Sequence, residues 1–155
     1  MYCEMTMATI NTNELLVDCQ SVWKIFGKSA PAAMDAVVQQ GLSKTQILQN
    51  YGCVVGVSDV SLQVRRGEIF CIMGLSGSGK STLIRLLNKL ITPSSGKVQV
   101  QGKDDSSLSP AQLREVRARH IGMVFQSVAL VPNRTVLENT AFGLEVQGVG
   151  KAERY

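Results

Sequence analysis

The sequence predicts an α/β fold built around a phosphate-binding loop, and three observations predict it. Gly74-Leu75-Ser76-Gly77-Ser78-Gly79-Lys80-Ser81 fits the pattern G-x-x-x-x-G-K-[ST]. The run before it, Glu68-Ile69-Phe70-Cys71-Ile72-Met73, is short and apolar, as a strand buried on both faces would be. After it, Leu83, Leu86, Leu87, Leu90 and Ile91 recur at helical spacing until Pro93 and the Ser94-Ser95-Gly96 turn stop the helix. A Gly/Ser-rich linker, the competing reading of the octapeptide, does not account for strand, loop and helix falling in this order.

The other elements read as mixed α and β. Residues 1–12 are polar and aperiodic, and are expected to form a disordered leader. Asn13 to Phe26 reads as a strand region. In Gly41-Leu42-Ser43-Lys44-Thr45-Gln46-Ile47-Leu48, Ser43 is placed to cap a short helix bearing Ile47 and Leu48. Val57 to Val64 puts apolar residues at 60, 62 and 64 ahead of an Arg65-Arg66-Gly67 turn, and Lys97 to Gln101 alternates likewise. Ser109-Pro110-Ala111-Gln112 combines a capping serine, a first-turn proline and a glutamine three residues after the cap, which predicts a helix to about Arg119. Ile121 to Phe125 then reads as an apolar strand ending at Gln126. Thr135 with Glu138 makes a second capping box, for a helix that fades at Gly148.

Composition narrows the function classes. With 155 residues, 45% of them apolar, and no repeat or low-complexity stretch, one compact unit or part of one is expected. The net charge of +4 is mild and its lysines and arginines are scattered, so nucleic acid is not implied as a partner. No apolar run approaches the roughly 18 residues of a membrane span, and Met1 to Asn13 lacks the pattern of a signal peptide, so a cytosolic location is expected. Cys3, Cys19, Cys53 and Cys71 lack C-x-x-C spacing and read as reduced thiols, with Cys71 a small buried residue of its strand. His120, the only histidine, reads as a helix-end residue.

The loop carries the chemistry. Glycines let the backbone curl with its amides turned inward, and the following helix adds its positive end, so the ligand expected is a nucleoside triphosphate. Lys80 would reach the terminal phosphates and the Ser81 hydroxyl would hold Mg²⁺, while the small Ser76 and Ser78 leave room for the ligand.

Beyond the loop, Val22-Trp23-Lys24-Ile25-Phe26-Gly27, Gly67-Glu68-Ile69-Phe70, Leu113-Arg114-Glu115-Val116-Arg117 and Met123-Val124-Phe125-Gln126-Ser127 resemble the ATP-binding subunit of an ABC transporter. The branch resembled is the one that takes up glycine betaine, proline betaine or related quaternary amines, and the likeness runs from Glu14 onward. Two further segments carry the branch likeness: an insertion at about 28–56, and Thr135-Val136-Leu137-Glu138-Asn139-Thr140-Ala141-Phe142-Gly143. On its residues alone the insertion reads as a surface excursion with no ligand role.

The resemblance implies an ABC ATPase core with an antiparallel β subdomain at the N-terminus, spanning 13–155. It implies ATP and Mg²⁺ as cofactors, with Gly74, Leu75, Ser76, Gly77, Ser78, Gly79, Lys80, Ser81 and Thr82 contacting nucleotide. By position Phe26 matches the aromatic that stacks on adenine; its other reading is a core phenylalanine, and Trp23 is the rival for the stacking role. Gln126 matches the glutamine near Mg²⁺ and the attacking water, which makes Lys80 and Gln126 the catalytic candidates and Ser81 and Gln126 the metal candidates. Its plain reading is a polar residue ending a strand.

Partners implied are a second copy of the subunit, membrane permease subunits and, indirectly, a periplasmic or lipid-anchored substrate-binding protein. The place implied is the cytoplasmic face of the plasma membrane. The family's signature, Asp-Glu pair and switch histidine are expected beyond Tyr155. The chain therefore reads as truncated, able to bind ATP and not to hydrolyse it. Two other readings of the residues stay open: a phosphotransferase using the same loop, and a nucleotide-holding fragment without turnover.

Overall fold

The computed structural model describes residues 14–104, 109–126 and 130–155. The expected leader at 1–12, Asn13, and Ser127 of the Met123–Ser127 motif lie outside the described residues. The chain divides into two compact units, Met1–Leu108 and Ser109–Tyr155.

In the first unit, four strands form one antiparallel sheet in the order β2-β1-β3-β4. They are β1 (Leu15–Phe26), β2 (Val54–Arg65), β3 (Ser95–Val100) and β4 (Lys103–Asp104). The register places Cys19 opposite Leu62 and Val98, and Phe26 opposite Val54. Between Cys19 and Val22 the β1–β2 ladder slips, with Ser21 at φ 45° and its amide donating to Ser61 Oγ at 2.9 Å, and it slips again between Val22 and Lys24, opposite Asp59 at φ 48°. Cys19, Val22, Val57 and Val98 face helix α3 (Lys80–Leu87), whose Leu83 and Leu86 complete the core. Leu86 is fully buried, so truncation to alanine would cost about 2–5 kcal/mol. Where β1 begins and β2 ends, Arg66 Nε donates to Glu14 Oε2 at 2.7 Å, and this hydrogen bond holds the Glu14 carboxyl below its ordinary value.

Between β1 and β2 the chain forms helices α1 (Ala30–Gln40) and α2 (Lys44–Tyr51). Ser43 caps α2 as its sequence predicts: Ser43 Oγ accepts from the Gln46 amide and Gln46 Oε1 accepts from the Ser43 amide at 2.8 Å. The two helices bury Ala33, Met34, Ala36 and Ile47 against Ile25 and Cys53, with Trp23, Tyr51 and Val55 packed around them. The insertion thus carries its own small core.

Two expected strands do not form. Residues 68–75 and 121–125 take no part in a ladder; Ile72 packs against the core of the first unit, but Ile69 is 92%, Met73 90% and Val124 98% exposed. A parallel strand needs neighbours on its edges and layers on its faces. Among the described residues no strand pairs with either run. Cys71, expected buried, is exposed for the same reason.

Helix α3 also stops earlier than its leucine pattern suggests. Lys89 adopts φ 60° and the amides of Leu90 and Ile91 both donate to the Arg85 carbonyl, which turns the chain away after Leu87. Ser95 and Gly96, expected as part of a turn, instead open β3. Ser94 anchors them, its amide donating to the Trp23 carbonyl at 2.8 Å.

The second unit contains α4 (Pro110–His120), α5 (Val136–Thr140), α6 (Phe142–Val146) and α7 (Lys151–Arg154). Both predicted capping boxes are present, at Ser109 with Gln112 and at Thr135 with Glu138. The Thr135 amide and hydroxyl donate to the Glu138 carboxylate at 2.7 and 3.0 Å, and hold it below its ordinary value. The helix expected to run to Gly148 breaks at buried Ala141 into α5 and α6. Asn139 ties the preceding loop down, accepting from the Val131 amide at 2.7 Å and donating to the carbonyls of Val131, Arg134 and Thr135. Arg134 and Arg154 both pair with Glu145, and the Arg134 hydrogen bond is the first cause of that carboxyl's lowered pKa.

Candidate functional site

The phosphate-binding loop has the conformation its glycines predict. Gly77 and Gly79 sit at φ 76° and 94°, where an L side chain is strained. Gly79 adds a second requirement: a Cβ there would drive into the carbonyl oxygen of Gly56 on β2. The loop can lie against the sheet only if this position has no side chain.

Lys80 opens helix α3 and folds back over the loop, donating from Nζ to the carbonyls of Gly74 at 2.8 Å and Leu75 at 2.7 Å. Ser78 Oγ lies 3.4 Å from the same ammonium. The lysine is thereby aimed across the mouth of the loop by groups that a phosphate would replace. Ser81, the next residue of α3, is exposed beside it. The described residues hold no cluster of three His, Cys, Asp or Glu side chains fit for a metal. A hydroxyl next to a phosphate site suits Mg²⁺ bound largely through phosphate oxygens and water.

A cavity of about 280 Å³ joins this loop to an aromatic ring. Phe26 lines one end and Gly77, Ser78, Gly79, Lys80, Ser81 and Thr82 the other. Phe26 is 40% exposed, which rules out the core reading, and its centroid lies 5.3 Å from Lys24 Nζ. Trp23, the rival, packs into the insertion's core. Val54, Val55 and Gly56 form the wall between ring and loop. Gly56 is a space-maker: a Cβ on it would come within 2.7 Å of Phe26 Cε2. Sequence reading missed these three because no local signal marks them; only the β1–β2 register, which sets Val54 opposite Phe26, brings them in.

Gln126 is exposed and lies in the second unit, after the 121–125 segment that forms no strand. Gly74, Leu75 and Ser76 are in the exposed first half of the loop.

With this geometry in view, the family follows from comparison. A sequence model of the ABC transporter family matches residues 57–154, more than half of the chain. The chain belongs to the ABC transporter family. It is 53% identical over 138 residues to the glycine betaine/proline betaine transport system ATP-binding protein ProV of Escherichia coli, covering 89% of this chain and 34% of that protein. It is 48% identical over 146 residues to the glycine betaine transport ATP-binding protein OpuAA of Bacillus subtilis, covering 94% of this chain and 35% of the relative. A 43% identical relative over 134 residues, 86% of this chain and 39% of its own length, is the trimethylamine N-oxide transport system ATP-binding protein TmoW of Pelagibacter ubique.

Among solved structures, the dimeric post-hydrolysis state of the ATP-binding cassette MJ0796 bound to ADP and Pi superposes with a TM-score of 0.69 at 28% identity. The match covers 89% of this chain and 52% of that one. The α/β architecture expected from sequence is thus that of an ABC ATPase cassette. The chain spans about a third of the length of these curated relatives. Among the described residues no helix is long and apolar enough to cross a membrane.

Proposed function

We propose that this chain binds ATP in the cavity between Phe26 and the phosphate loop, as the nucleotide-binding part of a subunit that energises ABC-type import of glycine betaine, proline betaine or proline. The observation that carries the binding is the cavity itself, which sets an exposed aromatic ring at one end and a glycine loop with its lysine at the other. That is the polarity of a nucleotide: a flat base at one end and negative charge at the other. The transported class rests on the names of the relatives, two of which are glycine betaine systems.

Each residue then has a role that follows from its chemistry. Phe26 supplies a stacking face for the base. Gly74, Leu75, Ser76, Gly77, Ser78 and Gly79 present backbone amides to phosphate, and Thr82 closes the wall beside the ring. Lys80 exchanges the Gly74 and Leu75 carbonyls for terminal phosphate oxygens, which relieves a charge held only by neutral acceptors. Ser81 and Gln126 are the side chains that would hold Mg²⁺, and Gln126 would orient water in the whole subunit. Bound Mg²⁺ supplies charge neutralisation at the phosphate oxygens.

The whole subunit is proposed to work as a dimer at the cytoplasmic face of the membrane, against permease subunits served by a substrate-binding protein. The chain itself carries no Asp-Glu pair after an apolar strand, so its proposed role is binding without turnover.

Saturating Mg-ATP is expected to protect the chain against thermal unfolding or proteolysis, by about 2.7 kcal/mol at 100 times Kd. Lys80→Ala should lose most of that protection. Equal protection of both chains would sink the role of Lys80. Phosphate release from the purified chain that Lys80→Ala abolishes would refute binding without turnover.

A further inference from the structure

From the structure we infer that Lys44, the first residue of insertion helix α2, is a second cation of the phosphate site, so that the insertion takes part in binding nucleotide. The inference rests on the nucleotide reading above and deepens it. Two cavities flank the phosphate loop and share Gly56, Ser78, Gly79 and Lys80. The first holds Phe26. The second, also about 280 Å³, is bordered by Lys44, by the loop residues Gly74, Ser78, Gly79 and Lys80, and by apolar side chains that include Val57 and Leu83. Lys44 and Lys80 thus face one space, and no acidic residue lines it. Two cations bordering a cavity without a counter-charge make it favourable to an anion.

The placement of Lys44 has a cause in the fold. The Ser43 capping box fixes the start of α2, and Ile47, one turn on, is fully buried in the insertion's core, so the helix cannot roll. Lys44 also borders an apolar cavity with Thr45, Leu48, Cys53, Val54 and Val55. A lysine suits that double position, because its carbon stem tolerates apolar neighbours while its ammonium seeks the polar end. Among the described residues Lys44 makes no ion pair or hydrogen bond, so its charge is available to a ligand.

Position also sets which part of the nucleotide it would read. With the base at Phe26, the phosphates run over the loop toward the second cavity, and Lys44 meets the end of the chain. It should favour ATP over a nucleotide that ends at the first phosphate. This distinguishes it from a structural lysine, which would affect both ligands alike.

The test is the equilibrium affinity of the full 155-residue chain for ATP and for AMP, compared with Lys44→Ala, Lys44→Arg and a charge control, Lys97→Ala. Lys97 is exposed on β3 and borders none of these cavities. Lys44→Ala should bind ATP about three- to tenfold more weakly, the range of a partly screened ion pair, and AMP within about twofold of the parent. Lys44→Arg should restore ATP binding, and Lys97→Ala should change neither affinity. Unchanged ATP binding by Lys44→Ala, or an equal loss for ATP and AMP, overturns the inference alone. A parent chain that binds no ATP, and so cannot be told from Lys80→Ala, overturns the nucleotide reading and this inference with it.

Discussion

Replacing Gly79 by alanine separates the two things glycine does in this loop, if Gly67→Ala is measured beside it. Both residues have positive φ, 94° at Gly79 and 77° at Gly67, so both substitutions incur a backbone penalty of about 1–2 kcal/mol. A Cβ at Gly67 meets nothing within 4 Å, whereas one at Gly79 enters the Gly56 carbonyl. To restore ordinary contact the loop and β2 must part by about 1 Å, which would widen the wall between Phe26 and the phosphate amides. Amides aimed at a phosphate lose hydrogen bonding steeply over such a distance. The expected result is that Gly79→Ala binds a fluorescent ATP analogue at least about tenfold more weakly, or about 1.4 kcal/mol, in an anisotropy titration. Gly67→Ala should be destabilised to a similar degree in its backbone yet bind within about twofold of the parent. If Gly79→Ala keeps parental affinity, the approach of loop to sheet does not position the phosphate site, and the reasoning fails.

Phe26→Ala should weaken ATP binding while Phe26→Tyr keeps most of it, since a phenol presents the same face; equal affinity in Phe26→Ala would remove the ring from the site. Acid should loosen helix α5. Glu138 has a folded pKa below its ordinary value of 4.5, so its contribution is present above 4.5 and lost as pH falls through the lowered value. The protection of α5 amides relative to their intrinsic exchange should therefore fall below about pH 4.5, and Glu138→Gln should flatten that response; superimposable acid profiles would refute the cap's role. The open faces of Ile69, Met73 and Val124 should bind a hydrophobic dye, and polar replacement of Ile69 and Met73 should lower the signal. A parent chain with no dye binding would contradict the exposed arrangement.

What could be read in the sequence was what depends on near neighbours. Each capping box needs only four consecutive residues: the two predicted boxes form at Ser109 and Thr135, and the cap expected at Ser43 forms as a box too. The loop was legible for the same reason, because its glycines and Lys80 act within eight residues. The failures share the opposite property. Residues 68–73 and 121–125 have strand composition, but a strand is a relation between segments, and an apolar pattern cannot show whether a partner is there. The end of α3 turned on Lys89 adopting a left-handed conformation, which its side chain does not announce.

The candidate site shows the same division in miniature. Half of it is the octapeptide; the other half is the β1–β2 pair, held together by its ladder and linked in sequence by the insertion. Phe26 ends β1 and Val54 begins β2; the ladder pairs them, and the insertion's small core packs on Ile25 and Cys53 beside them. Packing supports this: a Cβ on Gly27, just after Phe26, would press on Cys53 Sγ at 2.5 Å, and Cys53 is wholly buried just before Val54. A fault in the insertion's packing would therefore reach the candidate site without altering any residue that lines its Phe26 cavity. The segment that reads in the sequence as a surface excursion is, in the fold, packed against the strand ends that border the candidate site.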